Sequence, residues 1–174
     1  CIVGDGLSGL MTAAVLEQIP GIEVILMAKK SSKILDKRVT AISDNNFKFI
    51  KENIGNLNSK LFWPSKNIEL FYETAQEKIN FLNLNEKNFN LMYVFENEKI
   101  KNNIKKIIKN KKIQIIHKVV KNLEEFKRYD LTILCLGRKS KLYNKLIKTR
   151  SIKKDYKELA VTGFVKHNFK NLKT

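Results

Sequence analysis

The spacing of apolar positions changes several times along the chain, and each change marks an element. Residues 1–3 are a short apolar run that stops at Gly4, the tail of a buried strand. Leu7, Leu10, Met11, Ala14, Val15 and Ile19 then recur at helical spacing over residues 7–19, until Pro20 and Gly21 stop the helix. Residues 22–27 are a continuous apolar run of β-formers, the pattern of a strand covered on both faces of a parallel sheet. Strand, glycine turn, helix and strand in close succession predict a βαβ unit.

Further along, residues 29–37 are a polar loop, and Ser43 is a candidate N-cap for a helix to about Asn53. Residues 67–73 and 78–84 read as two strands, residues 85–90 as a polar turn and residues 92–95 as a short apolar stretch. Residues 96–110 predict a basic amphipathic helix with Ile100, Ile104, Ile107 and Ile108 on one face, its acidic start and basic end matching the helix dipole. Residues 112–120 and 131–136 read as strands, the second ending in Gly137, and residues 158–166 alternate like a strand of another sheet.

The turn after the first strand carries the chemistry. Gly4-x-Gly6-x-x-Gly9 lies between a predicted strand and a predicted helix, as in dinucleotide-binding folds. The first glycine permits a tight turn, the second lets a pyrophosphate approach the backbone, and the third lets helix and strand pack closely. The N–H groups of Leu7 and Ser8 would face the phosphates. An acid usually ends the second strand to bind ribose hydroxyls. Here Ala28 stands there, followed by Lys29, Lys30, Ser31 and Ser32. A small residue with basic and hydroxyl neighbours suits a 2′-phosphate, so an NADP-dependent reductase stands as a rival reading. A plain solvated loop would leave the same residues.

Composition changes this picture little. The formal charge is +17, a balance that can mark binding to nucleic acid or an anionic membrane. Yet Lys, Asn and Ile make up 69 of the 174 residues and only four of the 34 basic residues are Arg, the skew that an AT-rich genome imposes. Phosphate readers lean on Arg forks and interleaved aromatics, so no nucleic-acid partner is expected. Cys1 and Cys135 make no disulfide framework, and His117 and His167 have no metal-site spacing. A reducing, cytoplasmic setting is expected.

Three further stretches, taken with the glycine turn and in this order, carry a resemblance: LDKRVTAIS (residues 35–43), LMYVFENEKIKNNI (91–104), and YDLTILCLGRKSKLYNKL (129–146) followed by DYKELAVTGFVKH (155–167). They resemble the ubiquinone-biosynthesis FAD monooxygenases, aromatic-ring hydroxylases similar in fold to para-hydroxybenzoate hydroxylase. The most specific part is D-x-R-x-x-A-[IL]-S, here Asp36, Arg38, Ala41, Ile42 and Ser43. The resemblance implies an α/β fold: a Rossmann-like FAD/NAD(P)-binding domain with a parallel sheet (residues 1–66 and 91–150) and the first strands of an antiparallel substrate-domain sheet (67–90 and 151–174).

It also implies the site. Gly4, Gly6 and Gly9, with Leu7 and Ser8, match the FAD pyrophosphate turn, and Ala28 with Lys29 stand at the ribose corner. Arg38 matches an arginine lying against FAD. Asn97 matches a polar residue that contacts the cofactor just before the middle helix. Gly137 and Ser140 match the glycine and serine of the second flavin motif, A-D-G-x-x-S. The chain departs from the family where Leu136 replaces that motif's aspartate, where Tyr143 replaces an arginine, and where Ala28 replaces the ribose acid. The third flavin motif, a Gly-Asp pair, would lie beyond Thr174. With a start on Cys1, the expectation is an N-terminal fragment, inactive alone.

In such a family NAD(P)H transiently reduces FAD, the reduced flavin takes up O₂ as a C4a-hydroperoxide, and an oxygen passes to a phenolic ring. The substrate implied is a polyprenylated phenol, with peripheral docking on anionic lipid as a hypothesis. No catalytic residue, no metal and no oligomeric state follow from the sequence. A third reading is a diverged basic binding protein that keeps the fold and has lost catalysis.

Overall fold

The structure is a computed structural model of the 174-residue chain, and it describes residues 1–29 and 35–137 together with 140, 142, 146, 154, 157 and 161. In chain order the elements are β1 (Ile2–Val3), α1 (Leu7–Leu16), β2 (Val24–Ala28), β3 (Val39–Ser43), α2 (Asp44–Asn53), β4 (Trp63–Ser65), β5 (Asn67–Glu73), β6 (Lys78–Asn85), β7 (Met92–Glu96), α3 (Asn97–Lys109), β8 (Ile113–His117) and β9 (Ile133–Leu134). Two single turns of 3₁₀ helix, Ser59–Leu61 and Leu123–Phe126, join them, each capped by the asparagine before it. The fold is mixed α/β with a parallel and an antiparallel sheet, as expected from the sequence.

The described residues divide into two compact units. The first comprises Cys1–Asp36 and Ile100–Val161 and is built on a four-stranded sheet of order β8-β2-β1-β9, parallel throughout. Residues covered on both faces need no alternation, which is why β2 reads VILMA and buries all but one of its side chains. Beneath the sheet Val3, Met27, Val120, Phe126 and Leu142 form a buried cluster, with Ile116, Leu134 and Leu136 packed against it. On α3 the predicted face is buried at Ile100, Ile104 and Ile108, while Ile107 is half-exposed.

The second unit's described part is Lys37–Lys99. Its central strand is β7, which pairs antiparallel with both β3 and β4, so the stretch read only as short and apolar is the middle of a sheet. Residues 39–43, the second half of the string that carries the resemblance, form β3, whose alternation is blurred because Ala41 and Ser43 face solvent. The three-residue β4 contains Pro64 and was not foreseen; proline is tolerated there because β4 is an edge strand. Ser43 caps α2 as expected, its hydroxyl accepting from the Asn46 N–H at 3.3 Å. Phe47 stacks on Tyr93, and Phe62 meets both Phe47 and Phe95 edge-on at 5.0 and 5.1 Å, which makes this unit's core aromatic. Strands β5 and β6 form a hairpin with an irregularity between Leu70 and Phe71. Apart from Val161, which is exposed, the expected strand at residues 158–166 lies outside the described residues, as do Lys30, Ser31, Ser32, Tyr143 and His167.

Candidate functional site

The glycine turn links β1 to α1, and its three glycines have three different reasons to be glycine. Gly4 has φ +114°, a conformation that L side chains rarely adopt, and a Cβ there would come within 2.2 Å of the Cys135 carbonyl oxygen. Gly9 has an ordinary φ, but a Cβ would lie 1.9 Å from the Gly4 carbonyl oxygen. Helix α1 therefore rests directly on the turn that precedes it. Gly6 is the opposite case: a Cβ added there meets nothing within 4 Å. Its φ of −69° suits any residue, so neither strain nor packing asks for glycine. Open space over a bare backbone is what a ligand approaching that backbone requires.

Gly6 is also the N-cap of α1, and no side chain caps the helix. The N–H groups of Leu7, Ser8 and Gly9 fall in the first turn, where a helix supplies no acceptor of its own. The positive end of the helix dipole points the same way. No acidic side chain occupies that turn. Ser8 is exposed, and its carbonyl accepts from the Thr12 hydroxyl at 2.8 Å. Asp5, between the first two glycines, has Lys105 Nζ 3.5 Å from its carboxylate.

The neighbouring strand ends complete this edge of the sheet. Ala28 is buried and closes β2, with Lys29 exposed just beyond it. The parallel register sets Ala28 beside His117, the last residue of β8, and the Lys118 N–H donates to the Ala28 carbonyl at 2.9 Å. On the other side β9 leads to Cys135, Leu136 and Gly137. The Cys135 N–H donates to the Val3 carbonyl, and burial pushes the Cys135 thiol up from its ordinary range, partly offset by a hydrogen bond with Thr12. Leu136 packs against the buried cluster, so its side chain serves the core. Gly137 is exposed with φ +68°, and the Ser140 N–H donates back to its carbonyl at 3.2 Å. The Ser140 hydroxyl in turn accepts from the Leu142 N–H.

Gly4, Gly6, Leu7, Ser8, Gly9, Ala28, Lys29, Leu136 and Gly137 thus belong to the first unit. Arg38 and Asn97 belong to the second, and there they meet. The Asn97 N–H donates to the Arg38 carbonyl at 3.0 Å, where β3 and β7 begin and end. Asn97 is buried, and its side-chain oxygen accepts from the Thr40 hydroxyl at 2.6 Å. That hydrogen bond fixes the amide's orientation. Sequence reasoning chose Arg38 and Asn97 separately and missed Thr40, whose position in the family string gave no hint of a partner 57 residues away. Lys105 was also missed, being one of many lysines on a basic helix.

The residues fit a pyrophosphate: an uncapped helix N-terminus, an open glycine and a turn that packing holds rigid. They fit the ribose less well, because no carboxylate stands at Ala28. No group of three or more metal-ligating side chains is present among the described residues. No helix there is long and apolar enough to cross a membrane.

No family model and no curated protein matches the chain. Among solved structures it is similar to p-nitrophenol 4-monooxygenase PnpA from Pseudomonas putida DLL-E4, with a TM-score of 0.51 and 15% sequence identity. The match covers 66% of this chain and spans only 30% of the length of that one. The two share a fold.

Proposed function

We propose that the glycine turn binds the pyrophosphate of FAD, and that the chain is the nucleotide-binding part of a flavin-dependent aromatic-ring monooxygenase. The observation that carries this reading is the division of labour among the glycines. Gly4 and Gly9 are closed by packing, and Gly6 alone stands open at an uncapped helix N-terminus. The fold shared with p-nitrophenol 4-monooxygenase and the family string from Asp36 to Ser43 support the flavin over other dinucleotides.

FAD, when bound, supplies the redox chemistry: reduction by NAD(P)H, then activation of O₂. This chain's residues hold and orient it. Leu7 and Ser8 present N–H groups to the phosphates. Arg38 and Asn97, joined through the backbone and steadied by Thr40, stand at positions where the resemblance implies contacts with the cofactor. Gly137 and Ser140 stand in the second flavin motif. The proposed substrate is a polyprenylated phenol of ubiquinone biosynthesis, delivered from a membrane that the basic surface could touch. Residues 1–66 and 91–150 would form the FAD-binding domain, and residues 67–90 and 151–174 part of a substrate domain.

The test is a visible absorbance spectrum of the purified protein, with release and identification of bound cofactor. A yellow protein that releases FAD upholds the reading. A colourless protein that takes up no added FAD overturns it.

A second reading, an NADP-dependent reductase, is favoured by one observation. The register of β2 and β8 sets His117 beside Ala28; Lys118 is paired with Glu125, and the exposed Lys29 stands just past β2, where an acid is usual. Binding of 2′,5′-ADP well above that of 5′-ADP would favour it, and equal binding would remove it.

A further inference from the structure

The glycine turn holds a charge that opposes its proposed ligand. Asp5 lies between Gly4 and Gly6, and its carboxylate is partly exposed at the place where a pyrophosphate would approach. Such a carboxylate repels a polyphosphate brought within a few ångströms of it. The cation that answers it comes from α3. Lys105 follows Ile104, which is fully buried, so the helix face packed into the first unit fixes where the lysine stem starts. Its ammonium ends 3.5 Å from Asp5 Oδ2, with about a third of the side chain exposed.

That separation is longer than a charge-assisted hydrogen bond, which runs about 2.7–2.9 Å. Lys111 and Glu17, in the same unit, show the tight alternative at 2.6 Å. Lys105 is therefore held at the turn by attraction without being locked to one oxygen. A lysine is a flexible point charge with three donors, well suited to shift between a carboxylate and a phosphate.

We propose that Lys105 is a phosphate-binding residue of the glycine turn, parked on Asp5 until a dinucleotide arrives. The pyrophosphate would then take the N–H groups of Leu7 and Ser8 on one side and the Lys105 ammonium on the other. Asp5 keeps the lysine at the turn and weakens binding by its own charge. The inference rests on the reading of the turn as a dinucleotide site.

The test is calorimetric titration of FAD and of ADP into wild type, Lys105→Gln, Lys105→Arg, Asp5→Asn and Lys106→Gln. Lys106 is exposed one position along the same helix, so its variant controls for net charge. Lys105→Gln should weaken both ligands on the order of tenfold. Lys105→Arg should restore most of that loss, Asp5→Asn should tighten both ligands, and Lys106→Gln should leave them unchanged. Lys105→Gln binding as tightly as Lys106→Gln would overturn the proposal while leaving the dinucleotide site intact. Wild type binding neither FAD nor ADP would overturn the site itself, and the role of Lys105 with it.

Discussion

Strand β2 and the β5–β6 hairpin are both rich in β-forming residues, and they meet opposite fates. β2 reads VILMA, and Val24, Leu26, Met27 and Ala28 are all buried. The hairpin reads NIELFYE and KINFLNLN and is exposed almost throughout, with Phe81 63% and Tyr72 59% accessible. Local propensity is similar, so it does not decide the difference. β2 has a hydrogen-bonded strand on each side and a helical layer, and of its five apolar side chains only Ile25 is not fully buried. The hairpin has one partner strand and no described layer over either face. Its order comes from cross-strand pairs and from its turn, where the Thr74 hydroxyl accepts from the Gln76 and Glu77 N–H groups. Burial is therefore concentrated in the cores of the two units and not in the hairpin.

The largest effects should come from closing the tight half of the glycine turn. Gly9→Ala forces a methyl against a backbone oxygen that cannot retreat without moving β1, and Gly4→Ala adds a forbidden φ to a similar clash. Each should cost about 4 kcal/mol or more, or abolish cooperative folding, as read by thermal melting. A normal melt for either would mean the turn is softer than its packing implies. Next, Ile104→Ala empties a fully buried site on α3 and should cost about 2–5 kcal/mol in urea unfolding. A loss below 1 kcal/mol would place that helix outside the cooperative unit.

Gly6→Ala separates stability from binding. With nothing near the added methyl, stability should change by less than about 1 kcal/mol, while FAD affinity should fall because the methyl occupies the approach to the backbone. Unchanged affinity would show that the ligand does not pass over Gly6.

A smaller effect concerns pH. The Lys111 ammonium, hydrogen-bonded to Glu17 at 2.6 Å, holds the Glu17 carboxyl below the usual carboxylate range. A depressed folded-state pKa contributes stability that is complete above the unfolded-state value and is lost as pH falls through the folded one. Wild type should thus exceed Lys111→Met in stability at neutral pH, and the gap should close under acid. A gap independent of pH would assign the lysine's contribution to its stem alone.

The smallest effect should come from the hairpin, where Phe81→Ser should shift stability by no more than about 0.5 kcal/mol. A large loss there would mean that something covers the hairpin, and would break the contrast with β2.

Much of the fold is legible in the residues because much of it is local. The βαβ opening, the Ser43 cap, the two hairpin strands and the α3 face all rest on contacts within one or two turns or across a short loop. The strand β3 was not legible, since a family string occupied its residues and its exposed side blurred the alternation. β4 was hidden by Pro64, and β7 was recognisable as apolar but not as the centre of a sheet, because its two partners lie about 30 to 50 residues away in sequence.

The site divides the same way. Spacing alone placed Gly4, Gly6 and Gly9 between a strand and a helix, because the path of a chain leaving a strand is a local matter of φ and ψ. Only the tertiary structure distinguished them: Gly4 is closed by Cys135 from the far end of the chain, Gly9 by the folding of α1 onto the turn, and Gly6 by nothing. The same holds for Asn97 with Thr40 and for Lys105 with Asp5. Each pairing joins residues distant in sequence, and a lysine among thirty gains a role only when a helix packs so that its ammonium ends beside a particular carboxylate. Sequence determines which turns and periodicities the backbone can adopt. Which atoms then stand against one another, and which backbone is left open to a ligand, is decided by packing between elements that no local pattern encodes.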